Sequence, residues 1–189
     1  MEESDGELMR RLAAHDLAAL GPLYARYGEM VRAVAHRHAH GVARATVEDV
    51  CQEVFLGLVD LAPRYAEQGR LKSFLYGVTL RKLRASRRKG ALHRALLGRF
   101  MGEPRHTLPP PSDDRRDLQR ALAKLPEAQR DVLLLHSVEG LAGDEIAHTL
   151  GIELKTVWTR LHRARSKLRE LLGPGASDAT SDDDDGATS

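Results

Sequence analysis

The tightest constraint in the chain lies between Leu141 and Leu161, where Ile146, Ala147, Leu150, Gly151, Ile152, Val157 and Leu161 fit two short helices joined by a sharp turn. Ala147 is small enough to let the helices approach, and Gly151 permits the turn. Ile146, Leu150, Ile152, Val157 and Leu161 then seal the corner. At about 100° per residue, Val157, Leu161, Ala164 and Leu168 share the inner side of the second helix. Lys155, Thr159, His162 and Ser166 face away, with Trp158 and Arg165 on one flank and Thr156, Arg163 and Lys167 on the other. Such an outer face fits a DNA major groove, because hydroxyls and imidazole can touch base edges while Lys and Arg hold phosphates. A plain helical hairpin with a basic exterior is the alternative.

The rest of the chain is expected to be helical too. Leu and Ala number 53 together, against 13 Val plus Ile and 8 aromatics. Unbranched side chains lose little rotamer freedom in helices, whereas strands favour β-branched and aromatic ones. Ser4-x-x-Glu7 is a capping box for a helix to about Leu20, and Gly21-Pro22 opens a second to about Ala39 that buries Leu23, Tyr27, Val31 and Val34. Thr46-x-x-Asp49 starts a third through about Leu61, with Val47, Val50, Val54, Leu58 and Leu61 inward. After a loop over 62–70, a fourth runs from about Leu71 to Arg88, with Leu71, Leu75 and Val78 inward.

Prolines then divide the chain. Residues 99–114 hold four of them and no apolar periodicity, so they read as a flexible linker between a domain at 4–98 and a second at 115–173. Leu118, Leu122 and Leu125 mark a short helix in the second domain, and Pro126 opens another through about Ser137. Residues 174–189 have nothing to bury and read as a disordered acidic tail. The longest purely apolar runs, such as Val132 to Leu135, are far too short for a membrane span of about 20 residues. The N-terminus is acidic rather than basic and apolar, so a cytoplasmic location is expected. Cys51 stands alone and cannot form an internal disulfide.

Charge is sorted by segment behind a formal net charge of only +2. From Arg64 to Arg99 there are eleven Lys or Arg and one acid, Glu67; from Lys155 to Arg169 there are six more and no acid. The last 17 residues carry Asp178 and Asp182 to Asp185 and no base. One basic cluster is commonly just a solvated helix face, but two in so short a chain point to a polyanion partner, since neutralised phosphates release condensed counterions.

With these segments in place, the chain resembles the extracytoplasmic-function (ECF) type sigma factors of the sigma-70 superfamily. Leu125-Pro126, Glu139-Gly140-Leu141, Glu145-Ile146-Ala147, Thr156-Val157 and Arg163-Ala164-Arg165 are similar to that family's region four. LYARYGEMVRAVAHR followed by VEDVCQEVFLGLV resembles its region two. The resemblance implies two small helical domains, a region two bundle and a region four helix-turn-helix. It also implies a dissociable subunit, itself no enzyme and without cofactor, that directs core RNA polymerase to promoter DNA and helps open it.

Site residues follow from the same resemblance. Asp49, Gln52, Glu53 and Phe55 are the polymerase-binding candidates. Tyr65, Lys72, Phe74, Tyr76, Arg81, Lys82 and Arg84 are candidates for capturing the melted minus-ten strand, a task that needs stacking surfaces and a positive groove. Phe74 and Tyr76 can equally be core. The family commonly has Trp-Leu-Tyr-Arg here and an Asn four residues later, where this chain has Phe74-Leu75-Tyr76-Gly77 and Arg81. Lys155, Thr156, Trp158, Thr159, Arg160, His162 and Arg163 are the minus-thirty-five candidates, Trp158 standing where a basic residue is usual. An anti-sigma protein is the implied regulator.

Other readings are weaker. His36, His38 and His40 form an HxHxH run, but only His36 and His40 share a helix face and no Cys or carboxylate cluster is near in sequence, so no metal site is expected. A helix-turn-helix regulator that never melts DNA is the first rival, and a metal enzyme built on the histidines the second. The acidic tail is expected either to solubilise the chain or to compete with DNA for the basic C-terminal helix.

Overall fold

The computed structural model describes residues 3–39, 44–65, 70–97 and 113–172. These are helical, as expected, with no strand among them: α1 (Asp5–Ala13), α2 (Leu20–His38), α3 (Arg44–Leu56), α4 (Leu58–Leu61), α5 (Leu71–Leu97), α6 (Asp113–Lys124), α7 (Glu127–Ser137), α8 (Gly143–Leu150) and α9 (Leu154–Leu172). His40, the acidic tail and all of the proline segment except Asp113 and Asp114, which open α6, lie outside the described residues. The backbone divides into two units, Met1–Arg105 with Asp144–Gly151, and His106–Gly143 with Ile152–Ser189.

In the first unit α2, α3 and α5 pack on one another, and α1 closes the bundle against α2 and α4. Leu8, Leu12, Leu23, Val31, Val47, Val50, Val54, Leu58, Leu71, Leu75, Val78 and Leu83 form its core. The helical spacing had marked most of these, because one apolar face per helix is what a bundle buries. Within the same unit Thr149 donates its hydroxyl to the Ser73 carbonyl of α5 at 3.4 Å. A Cβ at Gly77 would come within 2.8 Å of the Thr149 carbonyl oxygen, which gives that glycine a packing reason.

Helix boundaries depart from expectation in three places. The first helix stops at Ala13, because His15 adopts a left-handed φ of 62° and Asp16 N–H donates back to the Arg11 carbonyl at 3.0 Å. This is the Schellman closure that glycine usually supplies. Asp16 then caps a single 3-10 turn, Leu17–Ala19, and α2 begins at Leu20 with Pro22 inside its first turn. The third helix breaks at Gly57, leaving α4 as a separate turn. The fourth continues to Leu97.

Asp5 fastens α1 to α2. Its carboxylate accepts from the Tyr27 hydroxyl and the Arg26 guanidinium, while Arg26 also donates to the Glu3 carbonyl at 3.0 Å. Burial first, and the Asp5 hydrogen bond second, push the Tyr27 phenol up to about 12. A folded pKa above the unfolded one, about 10, means stability that is fully present below pH 10 and is lost as pH rises toward 12. Tyr27→Phe is therefore expected to flatten the fall in unfolding midpoint between pH 10 and 12. Parallel denaturant titrations of the two proteins check it, and identical pH slopes would refute it.

In the second unit α9 packs on α7 and α6. Ala121, Leu125, Val132, Leu135, Leu141, Val157, Leu161 and Ala164 are buried. Arg130 turns inward, and its guanidinium donates to the carbonyls of Leu122 at 3.4 Å and Leu125 at 3.5 Å, which closes the C-terminal end of α6. Leu118, by contrast, is exposed.

Candidate nucleic-acid interface

The turn before α9 forms as the sequence requires. Gly151 takes a φ of +64°, a conformation that a side chain would strain. Glu153 then offers its carbonyl to the N–H groups of Thr156 at 2.9 Å and Val157 at 3.2 Å, which starts the helix. Val157, Leu161 and Ala164 are buried, so rotation about the α9 axis is fixed.

That rotation puts Lys155, Trp158, Thr159, His162 and Arg163 on the exposed side, with Thr156 and Arg160 partly covered. Thr159 donates its hydroxyl to the Lys155 carbonyl at 2.8 Å, leaving its oxygen as an acceptor. Lys167 is engaged with Glu170 at 2.7 Å. Lys155, Arg160 and Arg163 make no ion pair among the described residues. From Lys155 to Arg163 a helix rises about 12 Å, the width of the major groove. All seven minus-thirty-five candidates are thus on one helix, and Lys155, Arg160 and Arg163 among them are not taken up by an acid among the described residues.

The α5 candidates divide. Lys72 and Arg81 are exposed, and the Lys72 ammonium stands 5.9 Å from the centroid of Tyr76. Lys82 pairs with Glu53 at 3.2 Å. Tyr65 and Phe74 meet edge to face with centroids 5.4 Å apart, both partly exposed. Tyr76 is only 2% exposed, so its ring is internal. The surface aromatic pair near the start of α5 is therefore Tyr65 with Phe74.

On α3, Asp49, Gln52 and Glu53 are exposed, but Phe55 is buried and packs edge-on against Tyr24 at 5.0 Å. Leu56, which the sequence reasoning missed, is 67% exposed. Its signal was phase: one turn after Gln52, it falls with Asp49, Gln52 and Glu53 rather than with the valines. Tyr24 of α2 lies along Gly28, is half-exposed, and accepts from Arg32 at 3.2 Å. An apolar centre bordered by polar groups is the make-up of a protein-binding face.

Of the histidine run, His36 and His38 are among the described residues and lie in different surroundings. His36 faces Glu48 at 3.4 Å, whereas His38 is buried with its carbonyl bound by Arg87 at 2.9 Å. Among the described residues no group of three or more His, Cys, Asp or Glu is placed to hold a metal ion. Cys51 is buried, and burial pushes its thiol pKa up, away from the reactive thiolate. No helix among the described residues is long and apolar enough to cross a membrane.

Comparison with known proteins matches residues 115–168 to the family described as Sigma-70, region 4, and residues 23–92 to Sigma-70 region 2. The ECF RNA polymerase sigma factor ShbA of Streptomyces griseus is 35% identical over 170 residues, 84% of this chain and 87% of that protein. The solved structure of CnrH in complex with the cytosolic domain of CnrY matches with a TM-score of 0.64 and 26% identity over 90% of this chain and 97% of that one. The sigma factor RpoE in complex with the anti-sigma factor NepR from Bartonella quintana matches in fold, with a TM-score of 0.64 and 22% identity over 79% of this chain and 93% of that one.

Proposed function

The chain belongs to the sigma-70 family and is an RNA polymerase sigma factor of the ECF type; from that premise we propose how its surfaces divide the work of starting transcription. Residues 4–98 bind core polymerase and the minus-ten strand, and residues 115–173 read the minus-thirty-five element. The polymerase-facing surface is the outer side of α3, with Leu56 at its centre and Asp49, Gln52 and Glu53 around it. Phe55 acts from beneath, by seating Tyr24.

On α5, Lys72, Arg81, Lys82 and Arg84 follow the phosphates of the displaced strand, and Tyr65 and Phe74 give an unstacked base a surface. Tyr76 supports that end of the helix from inside. On α9, Lys155, Arg160 and Arg163 hold phosphates while Thr156, Trp158, Thr159 and His162 meet base edges. Binding alone drives opening. No bond is made or broken by the protein, which acts in the cytoplasm, where chromosome and polymerase are. The solved complexes of CnrH with CnrY and of RpoE with NepR support an anti-sigma partner for this chain as well.

The observation that carries this reading is the outer face of α9, whose three cations have no ion-pair partner among the described residues. Run-off transcription by core polymerase with the purified chain over a genomic library tests it: discrete start sites are expected, and none without the chain. DNA binding by the chain alone, with no effect on core polymerase, would favour the non-melting regulator instead. Leu56→Asp is expected to lower holoenzyme assembly at least tenfold at an unchanged unfolding temperature, because a side chain that exposed contributes little to the fold. Co-sedimentation with core polymerase measures it.

A further inference from the structure

Trp158 is the chain's only tryptophan and is 48% exposed, on a face that apart from Leu154, one turn earlier and 45% exposed, is made of cations, hydroxyls and imidazole. Its position is fixed from three sides. A Cβ at Gly143 would lie 2.7 Å from its Cζ2 and 3.2 Å from its Cε2, so the indole occupies the space that any other residue at 143 would fill. Leu154 crowds the same point at 3.0 Å. His136 of α7 meets the indole edge-on, with centroids 6.1 Å apart and planes at 71°. Burial, and then Arg165, lower the His136 pKa, which favours the uncharged imidazole beside the indole. Gly143 has an ordinary helical backbone, so it serves by its missing side chain and not by conformational freedom.

The indole stands one turn after Lys155 and one turn before His162, at the edge of the outward row. A half-exposed apolar plane gains from covering another apolar group, and the one such group in the major groove is the C5-methyl of thymine. We propose that Trp158 is a specificity-determining residue that contacts a thymine methyl in the minus-thirty-five element, with Gly143 and His136 as positioning residues. This rests on the sigma-factor reading above. The cations on the same helix bind any sequence through phosphate, whereas the methyl contact distinguishes one base from the others.

The test uses the reconstituted holoenzyme on promoters randomised across the minus-thirty-five element. Wild type is expected to require thymine at one position, and replacing that thymine by deoxyuridine, which removes only the methyl, should lower initiation about fivefold. Trp158→Ala should lose about tenfold of the preference there and respond equally to thymine and deoxyuridine. Gly143→Ala should lose the same preference while keeping its unfolding temperature, since alanine favours a helix more than glycine does. It should also shift the emission of the lone tryptophan in the free chain. Equal initiation by wild type on thymine and deoxyuridine would overturn the methyl contact and leave the indole a backbone contact. An unchanged base preference in Trp158→Ala would overturn the role altogether, and a shifted emission with unchanged preference in Gly143→Ala would overturn the positioning role. A holoenzyme that starts at no promoter would instead remove the sigma-factor reading.

Discussion

Replacing Lys155, Arg160 and Arg163 together by alanine is expected to abolish promoter-directed initiation while leaving the protein folded. The three side chains are exposed or partly so and make no ion pair among the described residues, so each loss changes the stability of the fold by no more than about 0.5 kcal/mol. Their expected effect on DNA is large. Each neutralised phosphate adds about 0.9 to the slope of log affinity against log salt, which makes one contact worth roughly eightfold at about 0.1 M salt and three worth 10²- to 10³-fold. Titrating holoenzyme onto one promoter across a salt series measures both quantities. The variant should show weaker binding and a slope shallower by about 2.7. A slope equal to that of wild type would mean that these cations do not touch the backbone, and the orientation assigned to α9 would fall with it.

The second large effect is structural. Leu161 is 1% exposed on the side of α9 that meets α7 and α6, and truncating such a leucine costs about 2–5 kcal/mol in lost transfer energy and cavity. A helical unit this small has a stability of only about 3–5 kcal/mol, so Leu161→Ala should leave it largely unfolded at 25 °C. Trp158, separated from His136, should red-shift, while the ellipticity contributed by the first unit persists. Leu118→Ala, at a site 42% exposed, should change the melting temperature hardly at all. Equal melting of the two variants would contradict the packing described for α9.

How far the sequence disclosed this depended on whether a signal was local. The buried sets of α2 and α3 were legible because one apolar face repeated at helical spacing, and the turn at Gly151 because only a special backbone explains a glycine there. The end of α1 was hidden, since histidine at position 15 gives no sign of a left-handed residue. Tyr76 was ambiguous for a different reason. Helix α5 buries Tyr76, Thr79 and Leu80 as well as the face with Leu71, Leu75 and Val78, so it is covered on more than one side. A reading that assigns one inner face to each helix cannot foresee that. Leu56 shows the converse: its phase was visible, but an apolar residue on a polar face acquires meaning only once the surrounding surface is known.

The clasp on Asp5 carries a practical lesson for anyone preparing the protein. Residues 3 and 5 are gripped by Arg11, Arg26 and Tyr27. A purification handle spliced over that stretch, or a vector that trims it, exchanges the carboxylate on which the first two helices meet. The recombinant product would then be judged fragile for a fault introduced by cloning.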